Sequence, residues 1–180
     1  MHNDRMRSML DEAKLQRFLA AVGRRATTPG RVYLTGGSTA LLLGIRAQTV
    51  DIDIKLDPEP GGIFEAIAEL KESLGVNVEL ASPDLFVPAL PGWRERSEFI
   101  ARFGKVDFHH YDFYGQALSK LSRGHKKDLA DVAALRDQQK VQAEKLLDLF
   151  EEVRSQLIRY PALNVPDLER RLRAFVQESK

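Results

Sequence analysis

The chain has 180 residues, 43% of them apolar and 29% charged, which fits one globular domain with a short appended helical segment. It has no cysteine, so disulfides, thiolate catalysis and cysteine-held zinc or iron–sulfur centres are excluded. Lys plus Arg is 27 and Asp plus Glu is 26; the net charge of +1 is lower than a uniformly basic nucleic-acid binder carries, although a local patch stays open.

Residues 8–25 read as a helix. Met9, Leu10, Ala13, Leu15, Phe18, Leu19 and Val22 form its apolar stripe, and Gly23-Arg24-Arg25 stops it. Thr27 to Gly30 is a turn, and Val32-Tyr33-Leu34 a short buried strand. Gly36-Gly37-Ser38 follows, then a short buried helix over 39–45. Residues 49–56 alternate, with Val50, Ile52, Ile54 and Leu56 on one face and Asp51, Asp53 and Lys55 on the other. After a Pro- and Gly-rich loop, 63–74 is helical, with Gly75 as its cap. A strand over 76–80 carries Asn77 and Glu79 on its polar face.

Ser82-Pro83-Asp84 closes that strand, and 88–92 is irregular. Residues 98–110 form a hairpin turning at Gly104-Lys105. Helices are expected over 112–123, 126–138, 141–159 and 167–177, with a linker at 161–166. The order predicts an α+β fold, α/β-like, with a mixed sheet, an N-terminal helix and a helical C-terminal part. The expected division is a domain over 1–138 and a helical extension over 139–180. Met1 to Arg5 places no apolar stretch behind a basic one, so no signal peptide is expected. No apolar run approaches the roughly 20 residues that cross a bilayer. A reducing cytoplasm is the expected location.

The chemistry concentrates at Gly36-Gly37-Ser38 and Asp51-Ile52-Asp53. Two acids one residue apart on a strand point to the same face. Their carboxylates repel unless a cation lies between them, and Mg²⁺ (or Mn²⁺) takes such hard oxygen donors together with phosphate. The glycine turn lets backbone N–H groups approach an anion, and Ser38 adds a hydroxyl. A phosphate cradle facing a metal-binding pair suits phosphoryl or nucleotidyl transfer.

These residues resemble the DNA polymerase β-like nucleotidyltransferase superfamily. Gly36-Gly37-Ser38-Thr39-Ala40 followed by Arg46, Thr49, Asp51 and Asp53 is similar to its AbiEii-type group of abortive-infection and toxin–antitoxin nucleotidyltransferases. A second block, from Lys120 and Arg123 to Lys127, Asp128 and Asp131, resembles the Lys/Arg…Asp-x-x-Asp motif that follows the core in those proteins. Here Lys120 and Arg123 are closer together, and Lys127 stands where Arg is commoner. The likeness covers about residues 31–137. It implies Asp51 and Asp53 as metal ligands, Gly36, Gly37 and Ser38 on the triphosphate, and a third carboxylate on a neighbouring strand. Glu79 is the first choice for that carboxylate, with Asp84 and Asp107 as alternatives. Lys120 is expected to neutralise the triphosphate, with Arg46, Arg123 and Lys127 as further nucleotide contacts and Asp128 and Asp131 in support.

A plainer reading pairs Lys120 and Arg123 with Asp128 and Asp131 as ion pairs, and the two readings are compatible. His109 and His110 point to opposite strand faces, which argues against a shared metal. His125 reads as a cap or surface residue, and Trp93 as an anchor. The leading expectation is transfer of NMP from an NTP to an RNA, protein or small-molecule acceptor, with a cognate antitoxin in the toxin version. Arg24, Arg25, Arg31, Lys120, Arg123, Lys126 and Lys127 suffice for an RNA patch if they converge. Alternatives are a catalytically silent binding module, or an antibiotic-type nucleotidyltransferase whose acceptor touches residues 86–93.

Overall fold

The computed structural model describes residues 9–180. The signal-peptide expectation and the first residue of the predicted N-terminal helix lie outside the described residues. Helix α1 spans Glu12–Arg25 and starts later than the stripe suggested, because Asp11 caps it by accepting from the Lys14 amide at 2.8 Å. Leu10 is instead in an antiparallel bridge with Thr49.

Strand β1 (Gly30–Thr35), helix α2 (Gly37–Leu42), strand β2 (Asp51–Leu56), helix α3 (Ile63–Leu74) and strand β3 (Asn77–Leu80) follow. Helix α2 is shorter than predicted, since Leu43 caps it and Gly44 turns away at φ +72°. A 3₁₀ turn (Pro83–Leu85) and a one-turn helix α4 (Trp93–Arg96) flank the stretch 88–92, which is free of helix and strand as expected. Strands β4 (Phe99–Phe103) and β5 (Val106–His110) form the expected hairpin. Helices α5 (Phe113–Arg123), α6 (Lys126–Asp137), α7 (Ala143–Val153) and α8 (Val165–Glu178) complete the chain, with 3₁₀ structure over Arg154–Arg159 ending α7 early.

The chain forms two compact units. One comprises residues up to Ala81 together with Phe99–His110; the other comprises Ser82–Glu98 and Tyr111–Lys180. The first holds a five-stranded mixed sheet in the order β3-β2-β1-β5-β4. Strand β1 is antiparallel to β2 and parallel to β5, and β2 is parallel to β3. One sheet face packs against α1 and α3 through Val32, Leu34, Ile52, Ile54, Val78 and Phe108, joined by Leu15, Phe18, Leu19, Ile63 and Leu70. Each residue removed from water in such a core contributes roughly 1.5–3 kcal/mol. The other face is the polar one, and it carries the carboxylates.

The second unit is built around α5, which packs on α6, α7 and α8. Leu118, Leu121, Val132, Leu135, Leu146, Phe150, Leu168 and Leu172 are buried in it. This grouping differs from the expected division at 138. The helices on either side of that position share one apolar interior, while the β4–β5 hairpin joins the sheet through the parallel β1–β5 ladder.

Candidate active site

The alternation of β2 decides where its acids go. Ile52 and Ile54 are buried in the core, so Asp51 and Asp53 point from the opposite face. In the parallel β2–β3 ladder, Asp51 lies opposite Asn77 and Asp53 opposite Glu79. The Asn77 amide donates to Asp51 Oδ1 at 2.6 Å and to Glu79 Oε1 at 3.1 Å. One side chain therefore ties carboxylates of two strands together. On the other flank Asp53 faces Thr35, the last residue of β1.

Beyond Thr35 the chain enters the glycine turn. Gly36 has φ +62° and ψ −129°, a conformation costly to residues with a Cβ. A Cβ built there would lie 2.9 Å from Asp53 Oδ2, and one on Gly37 would lie 2.0 Å from Thr49 Oγ1. Gly36 is thus demanded by its backbone conformation and Gly37 by the close approach of Thr49, and the Asp53 carboxylate lies beside the turn. Ser38 is buried, and its Oγ has no hydrogen-bond partner among the described residues. A buried hydroxyl without a partner calls for an explanation, and an anion seated on the turn supplies one. Because α2 is only six residues long, the local amides and this hydroxyl are the main attraction for such an anion, more than a helix dipole.

The donor set suits a hard divalent cation. It consists of carboxylate oxygens, and Mg²⁺ or Mn²⁺ takes oxygen ligands of this kind. Among the described residues no group of three or more His, Cys, Asp or Glu side chains is already gathered to hold a metal.

The other candidate residues fall as follows. Glu79 is exposed at the register position beside Asp53. Asp107 is held in a fork by Arg102 at 2.6 and 2.9 Å, and that bond keeps its carboxyl below the usual range. Asp84 sits in the 3₁₀ turn of the second unit and accepts from Ser82 Oγ. Arg46 is half-buried in the loop between α2 and β2, its amide donating to Ala40 O at 3.2 Å. Arg24, Arg25 and Arg31 belong to the first unit, and Lys120, Arg123, Lys126 and Lys127 to the second.

Within the second unit Lys120 Nζ donates to Asp131 Oδ2 at 2.7 Å, with both side chains buried. Arg123 donates to Asp128 Oδ1 at 2.8 Å. Burial pushes the Asp128 carboxyl up, but Arg123, Lys120 and the His125 backbone outweigh it and hold it below its ordinary value. The ion pairs foreseen for this block are present. Lys127 is exposed in the first turn of α6. Trp93 stacks on Tyr111 with ring centroids 4.9 Å apart, the anchoring role expected of it. His109 packs against Tyr33 and Phe99, its basicity lowered by burial and by Arg31. His110 points into the sheet's other face, so the two imidazoles share no ligand.

Asn77 is the residue that sequence reasoning left without a role. It was visible as a polar position on the β3 face, but its link to Asp51 depends on a strand register that no local pattern reveals.

A family model described as a nucleotidyltransferase of unknown function (DUF6036) matches residues 13–180, across both units. No curated protein and no solved structure matches the chain. With the match running through nearly the whole sequence, the chain belongs to this nucleotidyltransferase family.

Proposed function

We propose that the chain transfers a nucleoside monophosphate from an NTP to an acceptor hydroxyl, dependent on Mg²⁺ or Mn²⁺ held by Asp51 and Asp53. The observation that carries this reading is the contact between the glycine turn and the carboxylate pair: Gly36 is packed so tightly on Asp53 that even a methyl group would crowd its Oδ2. A triphosphate lying on the turn places its phosphates beside those carboxylates.

In the reaction an acceptor oxygen bonds to the α-phosphorus, the bond from that phosphorus to the α,β-bridging oxygen breaks, and pyrophosphate leaves with the electron pair. When bound, the divalent cation supplies charge neutralisation and Lewis acidity to the phosphate oxygens. The protein does the positioning. Amides of Gly37 and Ser38 and the Ser38 hydroxyl hold the phosphates, Asp51 and Asp53 hold the cation, and Asn77 fixes the Asp51 carboxylate. Glu79, which accepts from the same amide, is assigned the role of taking the acceptor's proton or adding an oxygen ligand.

The acceptor is proposed to be RNA or protein. The likeness to AbiEii-type toxins supports that choice and a toxin role answered by a cognate antitoxin. The test is incubation with each α-³²P-labelled NTP, Mg²⁺ or Mn²⁺, cellular RNA and lysate protein, read on a denaturing gel. Label on a macromolecule supports the reading, and NTP binding without such label moves the acceptor to a small molecule. Absence of both label and NTP binding contradicts the proposal.

A further inference from the structure

The glycine turn joins β1 to α2, which packs on β1, β2 and α1. Helix α2 has only six residues, too few to persist alone, and its N-cap Gly36 offers no side-chain hydrogen bond. Its orientation must be fixed from outside. Thr39, in the first turn of α2, supplies the link. Its side chain is buried at 3% exposure and its Oγ1 lies 3.3 Å from the Leu34 carbonyl of β1. The same Oγ1 lies 3.0 Å from Nδ1 of His110, the last residue of β5, which is 5% exposed. Leu34 and His110 are register partners in the parallel β1–β5 ladder. One hydroxyl therefore joins the strand that enters the turn, the helix that leaves it and the neighbouring strand.

Hydrogen counting gives the direction. The Leu34 carbonyl can only accept, and a hydroxyl has one proton to give. If Thr39 donates to Leu34, then His110 Nδ1 must carry a hydrogen and donate to Thr39. Both contacts are satisfied at once only when Nδ1 carries the hydrogen.

We infer that His110 is a positioning residue for the nucleotide turn, acting through Thr39 to set Ser38 and the amides of residues 37 and 38 for the phosphates. The inference rests on the reading of that turn as the NTP site. His110 lies on the sheet face opposite to that of Asp51 and Asp53.

The test measures NTP binding by calorimetry, with Mg²⁺, alongside thermal unfolding. Three single variants are compared: Thr39→Val, His110→Phe and His110→Asn. The Asn side-chain amide places an N–H close to where Nδ1–H stands. Thr39→Val and His110→Phe should each weaken NTP binding about tenfold, the effect of one buried hydrogen bond. The double variant should be no weaker than either single one. His110→Asn should restore binding to within about threefold of the parent. Equal NTP affinity in parent and His110→Phe, even with a lowered Tm, overturns the inference and leaves His110 a packing residue. A failure of His110→Asn to restore affinity while restoring Tm also overturns it. If the parent itself binds no NTP, the reading of the turn as an NTP site fails instead.

Discussion

Replacing Lys120 by Met asks whether this lysine is held by protein or reserved for ligand. Its ammonium lies 2.7 Å from Asp131 Oδ2, with side-chain exposures of 7% and 6%. Removing one member of a buried pair strands the other charge out of water, which costs about 3–5 kcal/mol. At about 2–4 °C per kcal/mol for a chain of this size, Lys120→Met should lower Tm by about 6–20 °C. Adding Asp131→Leu removes the stranded carboxylate, and the double variant should recover most of that loss. The exposed pair Arg154–Glu151, at 41% and 50% exposure, is the control, and Glu151→Gln should leave the unfolding midpoint nearly unchanged. The assay is urea unfolding of the parent and all three variants, with thermal melts beside it. A Lys120→Met loss below about 1 kcal/mol, with no recovery in the double variant, refutes the reasoning and frees Lys120 for the phosphate role that the family resemblance implies.

Gly36→Ala should destabilise by about 1–2 kcal/mol through its positive φ alone and also crowd Asp53 Oδ2, so denaturant midpoint and NTP affinity should fall together. Unchanged values for both would mean that the turn relaxes away from the carboxylate. Asp128 is held below its ordinary pKa, so it binds fewer protons folded than unfolded. Its contribution to stability is present above the unfolded carboxylate pKa of about 3.9 and is lost as pH falls through the lower folded value. Arg123→Gln should reduce the stability difference between pH 6 and pH 3 measured by urea midpoints, and an unchanged difference would count against this pairing. Glu79→Gln should lower kcat at least tenfold if Glu79 takes the proton or completes the ligand set, with Tm unchanged because the side chain is exposed. Full activity would leave Asp51 and Asp53 as the only acids required.

What the sequence revealed follows from where the information lies. Helix α3 and the β4–β5 hairpin fall where their local patterns put them: Gly75 at φ +64° ends one and Gly104 at φ +60° turns the other. Asp51 and Asp53 were readable because strand alternation is a local rule. The start of α1 was misjudged because Leu10 is apolar for a strand bridge to Thr49 and not for a helix face. The unit boundary was hidden because it depends on β1 pairing with a strand some 75 residues later. Asn77 and the Thr39–His110 bond were equally out of reach, since each needs a register between distant segments. The ion pairs of the Lys120–Asp131 block were legible because two helices joined at Gly124 bring that spacing together.

The most direct test of the central claim compares the parent with Asp51→Asn, Asp53→Asn and the double variant in transfer of α-³²P label from NTP under Mg²⁺. Neither side chain is in the apolar core, so folding should be preserved, as circular dichroism and Tm would show. Each replacement should cut metal-dependent transfer by at least a hundredfold, and the double variant should be inactive. Label transfer by a folded double variant at the parental rate would contradict it.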